Sequence, residues 1–161
     1  MSGTSSSRAP VEMYRQASRT GRRSARKGTR LGLDEALIAL FIGAMNANDH
    51  VAADEAARAH HLIWSTRRFR RKSGETVGRL IEDMRDVVAT SDPRAVIARA
   101  AKVIPAGLRS SAFAVLVDLL LADGKLEPKE RRFLRELGSD LKLKPDTVRQ
   151  ILDVVVLKNQ L

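Results

Sequence analysis

The chain has 161 residues, 29 Lys or Arg against 19 Asp or Glu, a formal net charge of +10 and no cysteine, which excludes disulfides, thiolate metal sites and thiol chemistry. Its longest apolar runs, Ala36 to Met45 and Ala112 to Val117, fall short of the roughly 20 residues needed to span a bilayer. A soluble, cytoplasmic protein is expected.

Residues 1 to 30 carry eight of the bases and one acid, Glu12. With few large apolar side chains, such a segment buries too little surface to offset its ordering entropy, so it is expected to be a disordered basic arm. It has no apolar stretch leading to a cleavage site, unlike a secretory signal, although its Arg and Ser content is that of an organelle transit peptide. The remaining 131 residues hold 21 bases against 18 acids. They are enough for one domain with its own core.

Seven helices are predicted from Leu31 to Leu161, an all-α chain. The first runs from Leu33 to Ala47, with Leu37, Leu40, Phe41, Ala44 and Met45 on one face. The second follows a turn at Asn48 to Val51 and is predicted from Ala53 to Lys72, ending in Arg67-Arg68-Phe69-Arg70-Arg71-Lys72, where cations suit a helix C-terminus. Ser73 caps a third, whose stripe is Val77, Leu80, Ile81, Met84 and Val88. Asp92 caps a fourth with Pro93 at its first position, and Pro105 opens a fifth that is almost wholly apolar to Ala122.

Gly124 suits the left-handed position that closes the fifth helix. Glu127 and Pro128 read as cap and first position of the sixth, with Phe133, Leu134 and Leu137 facing inward. Pro145 starts the seventh, whose stripe is Val148, Ile151, Leu152 and Val155.

The stretch Leu121 to Glu130 has a worn copy 75 residues earlier, at Asn46 to Glu55. The offset puts Ala122 on Ala47, Asp123 on Asn48, Gly124 on Asp49, Leu126 on Val51 and Glu130 on Glu55. Two related helix-turn-helix halves are expected, packed about a pseudo-twofold axis with their turns side by side.

On the motif LLLADGKLEPKERRFLRELG and its copy in the first half, the sequence resembles the TerB-like family, the tellurite-resistance type of helical domain also found at the N-terminus of some membrane-anchored co-chaperones. The resemblance implies a seven-helix bundle over residues 31–161 with an acidic patch where the turns meet, taking a divalent cation or a partner. It also implies a role in an oxyanion or envelope stress response. The second motif is complete; in the first, Asn48 stands where Asp is expected and Asp49 where Gly is expected. No His-Pro-Asp triplet points to a J-domain.

Two accounts of the acidic turn follow. In the structural one, Glu127 and Glu130 form a capping box at the positive end of the helix dipole and Asp123 accepts N–H groups of the turn. In the other, Asp49, Glu55, Asp123 and Glu130 converge on calcium or zinc, since one turn alone supplies too few oxygen ligands. His50 adjoins Asp49; His60 and His61, being adjacent, point to different faces, so one is expected to be packed and the other exposed. Asp118, inside the apolar fifth helix, belongs on a narrow solvent-facing edge or beside a base, the edge being preferred, because a buried lone charge is costly.

Arg67, Arg68, Arg70, Arg71 and Lys72, with Arg22, Arg23, Arg26 and Lys27 of the arm, are candidate contacts for nucleic acid or an anionic membrane surface. The alternative is that they serve solubility and helix-end charge. One Trp, one Tyr and four Phe are too few for a stacking platform. The chain lacks a Gly-rich phosphate loop, a Gly-x-Ser-x-Gly and a His-Glu-x-x-His, so a non-enzymatic interaction module is expected.

Overall fold

The computed structural model describes residues 30–47 and 53–160, without the side chains of residues 53–56, 58 and 123. Within them the chain forms seven helices and no strand: α1 (Leu33–Ala47), α2 (Ala53–Ser65), α3 (Gly74–Thr90), α4 (Pro93–Val103), α5 (Ala106–Leu120), α6 (Pro128–Asp140) and α7 (Pro145–Lys158). A 3-10 turn, Leu121–Asp123, follows α5. The expected basic arm, the turn at Asn48 to Val51 and His50 lie outside the described residues.

Most helix boundaries follow local chemistry. The Ser73 side chain accepts the Thr76 N–H at 3.2 Å and starts α3. Asp92 accepts the N–H groups of Arg94 and Ala95 at 3.2 and 3.3 Å, with Pro93 inside the first turn of α4. Each cap satisfies donors that a helix start leaves without partners. Gly124 takes φ +77°, and its N–H returns to the Leu121 carbonyl.

α6 ends within the stretch Leu137 to Asp146, where the sequence places its end, but the residue that closes it is not legible in residue types. Lys142 sits at φ +55°, its N–H bonded to the Ser139 carbonyl at 2.9 Å, while the Leu143 N–H reaches the Gly138 carbonyl at 3.0 Å. This is the bonding pattern of a Schellman motif, with a lysine in the position usually given to glycine.

α1 is the central helix. It packs against α2, α3, α4, α5 and α6, and Ala36, Ile38, Ala39, Leu40, Phe41, Ile42 and Ala44 are all buried, a wider face than the expected stripe. Gly43 permits this crowding, since a Cβ there would lie 2.4 Å from Ile97 Cδ1 on α4 and 3.1 Å from the Phe133 ring on α6. α5 supplies the other half of the core through Phe113, Leu116, Val117, Leu119 and Leu120. Burying each large apolar side chain contributes about 1.5–3 kcal/mol, which holds the bundle together.

Helix α2 is shorter than the predicted Ala53 to Lys72. It stops at Ser65, and residues 66–72 fold as consecutive turns. The Ser65 and Thr66 hydroxyls bond back to the Leu62 and Ile63 carbonyls, the Thr66 N–H is shared between the same two carbonyls, and the Thr66 carbonyl then takes both the Phe69 and Arg70 N–H groups. Such hydroxyl bonds compete with helix continuation. Phe69, 1% exposed, is drawn into the core and carries the segment inward.

Candidate functional site

Two surface turns hold the residues singled out in the sequence. In the turn between α5 and α6, the Glu130 carboxylate is 2% exposed and accepts the Glu127 N–H at 2.7 Å, the reach-back bond of the expected capping box. The Glu127 side chain is exposed. A carboxylate at this depth is stabilised by the backbone donor and by the positive end of the α6 dipole. Gly124, Lys125 and Glu127 form the exposed outer side of the turn.

Of the four carboxylates considered as cation ligands, only Glu130 has a described side chain. Asp49 and the side chains of Glu55 and Asp123 lie outside the described residues. Among the described residues no group of three or more His, Asp or Glu side chains is placed to hold a metal ion.

The second site is the basic turn at residues 66–72. Asp34, in the first turn of α1, accepts Arg68 Nε and lies 2.8 Å from Lys72 Nζ. Partial burial alone would raise the Asp34 pKa, but the hydrogen bonds from Lys72 and Arg68 outweigh it and hold the carboxyl below its ordinary value. Arg68 and Lys72, expected among the polyanion contacts, are thus ion-paired within the chain, although Arg68 stays exposed to solvent. Arg67, Arg70 and Arg71 are exposed and make no ion pair with a described residue. Arg22, Arg23, Arg26 and Lys27 lie outside the described residues.

Beside this turn, Trp64 Nε1–H donates to His60 Nε2 at 3.1 Å, and the rings meet edge to face with centroids 5.9 Å apart. His60 and His61 are both exposed, correcting the expectation that one is packed. Trp64 packs partly against the hydrophobic core, and His60 meets its outer side while staying exposed.

Asp118 is also corrected. It does not occupy a free edge: Lys158 Nζ bonds to its two oxygens at 2.7 and 2.6 Å and Asn159 Nδ2 adds a third contact at 3.3 Å. The C-terminus of α7 crosses α5 there and supplies the base.

A shallow cleft of about 210 Å³ lies at the end of α1, lined by Asn46, Ala47, Arg94, Ile97, Phe133 and Glu136 among others. Its Arg94 is held by Asp140 through two bonds of 2.5 and 3.1 Å and by Glu136 at 3.0 Å. The Asp140 hydrogen bond raises the guanidinium pKa further above its ordinary value. The cleft therefore offers a ligand an apolar wall and an occupied cation.

Among the described residues the chain is an all-helical bundle whose two candidate sites are surface turns. The family described as tellurite resistance protein TerB matches residues 34–153, and the chain belongs to that family. No curated protein and no solved structure matches the chain significantly.

Proposed function

We propose that the chain is a non-enzymatic interaction module of the TerB family that acts in the cytoplasm in a tellurite-type oxyanion or envelope stress response. The observation that carries this reading is the α5–α6 turn. It holds the complete family motif, is locked by the buried Glu130 against the Glu127 N–H, and turns Gly124, Lys125 and Glu127 outward. A turn held rigid before binding loses little entropy when a partner docks.

The two-halves reading is part of the proposal and has support in packing. α1 touches α6 and α2 touches α5, the pair of contacts that a twofold exchange of the halves interconverts. At the offset of 75, Phe41 and Leu116, Ala59 and Leu134, and Ile63 and Gly138 are all buried. In this arrangement Asp49, Glu55, Asp123 and Glu130 are the ligands that a calcium or zinc response would use.

The stress role is tested by removing the protein from its host and measuring survival on tellurite. Sensitivity restored by the wild-type chain supports the role; unchanged survival removes it. The docking role is tested by affinity capture with and without chelator, comparing the wild type with Lys125→Glu. Capture of one partner that the variant loses supports the turn as the recognition element, and equal capture by both assigns the partner elsewhere.

A further inference from the structure

We propose that the outer face of the turn at residues 66–72 is a docking surface for the phosphate backbone of a nucleic acid. The proposal rests on how the turn divides its five cations. Its Arg70 N–H bonds to the Thr66 carbonyl four residues back and its Lys72 N–H to the Phe69 carbonyl three back, so side-chain directions follow helical spacing. Positions 68 and 72 then share one side, and both meet Asp34. Positions 67, 70 and 71 share the other, where all three arginines are exposed. Phe69, buried beneath them, fixes the turn to the core.

Asp34 therefore does two things. It pairs with Arg68 and Lys72, offsetting one of their two charges, and it ties down the backbone that presents the other three. All three outward residues are arginines, whose planar forks bind phosphate oxygens in pairs, where a lysine offers only a point charge.

A nucleic acid fits this surface better than a lipid surface. Membrane-bound basic segments place large apolar side chains next to their cations, whereas Phe69 is buried, and the exposed large apolar residues among those described, Leu108, Val154, Val156 and Leu157, are on α5 and α7. Each phosphate neutralised on duplex DNA contributes about 0.9 to the slope of log affinity against log salt.

The test titrates a labelled duplex of about 20 base pairs, long enough for several phosphate contacts, with the full chain across a salt series, following anisotropy and Trp64 emission. Trp64 is the one tryptophan and lies three residues before Arg67. Three full-length variants are compared: Arg67→Gln/Arg70→Gln/Arg71→Gln; Arg22→Gln/Arg23→Gln/Arg26→Gln/Lys27→Gln; and Arg131→Gln/Arg132→Gln/Arg135→Gln, a control that removes three exposed charges from α6. The expected result is that the turn variant lowers the slope by about 2 to 3 and weakens binding at least tenfold at low salt. The arm variant should lower the slope as well, the α6 variant should stay near wild type, and Trp64 emission should respond to duplex only while the turn arginines are present. Equal losses in the turn and α6 variants would reduce the effect to net charge and overturn the proposal. An unchanged slope in the turn variant would assign binding to the arm alone, and tighter binding to vesicles of phosphatidylserine and phosphatidylcholine than to duplex at equal phosphate would assign the face to lipid.

Discussion

Lys72 Nζ lies 2.8 Å from the Asp34 carboxylate, joining the basic turn after α2 to the first turn of α1 across 38 residues of sequence. With Arg68 on the same carboxylate, this is the contact that pairs two of the five cations of the turn. Asp34→Asn should lower stability to urea by about 1 kcal/mol, a figure discounted for the solvent around Arg68 and Lys72. The Asp34 pKa is lowered on folding, so its contribution is complete above the unfolded carboxyl value near 3.9 and fades as pH falls through the lower folded value. The gap between wild type and variant should be constant from about pH 7 to 5 and close in stronger acid. A gap that persists undiminished at the acid end would assign it to packing.

Lys142 holds φ +55° to close α6. A residue with a Cβ costs about 1–2 kcal/mol in that conformation, which glycine avoids, partly offset by the greater freedom of glycine in the unfolded chain. Lys142→Gly is expected to raise stability by about 0.5–1 kcal/mol and the melting temperature by about 2–4 °C. A lowered melting temperature would show that the lysine side chain contributes more than its backbone costs.

Gly124 presents the opposite case, with φ +77° and open space around the position a Cβ would take. Gly124→Ala should therefore destabilise by about 1 kcal/mol through backbone conformation alone. Gly124→Asn should recover part of the loss, since Asn tolerates the left-handed region. Equal losses in thermal melts of the two variants would point to a steric cause instead.

Glu130 separates the two accounts of the acidic turn. Glu130→Gln keeps an acceptor for the Glu127 N–H and should cost under about 1 kcal/mol, whereas Glu130→Ala leaves that donor unsatisfied beside a small cavity and should cost about 2 kcal/mol or more. Magnesium should not move the melting temperature, and calcium or zinc should move it slightly at most. A cation bound at ten times its dissociation constant would add about 1.4 kcal/mol, or roughly 3–6 °C. A rise of that size, lost in both Asp123→Asn and Asp49→Asn, would transfer Glu130 from capping to ion binding and join the two turns in one site.

The sequence by itself determined the helical class, the caps Ser73, Asp92 and Glu127, the left-handed Gly124 and the inward stripes of α3 and α7, because each depends on residues within one helical turn. Tertiary structure decided the rest. Whether α2 continues through residues 66–72 depends on hydroxyl bonds and on burial of Phe69, and the helix-favouring run of cations loses to both. The fates of Asp118, Arg68 and Lys72 depend on partners 40, 34 and 38 residues away. A charge run in a sequence carries sign and spacing but not direction. Only the packing of α1 beside the turn pairs two of its cations with Asp34 and leaves three without an ion pair to a described residue, because an ion pair depends on distance in space, which residue spacing beyond a few positions does not specify.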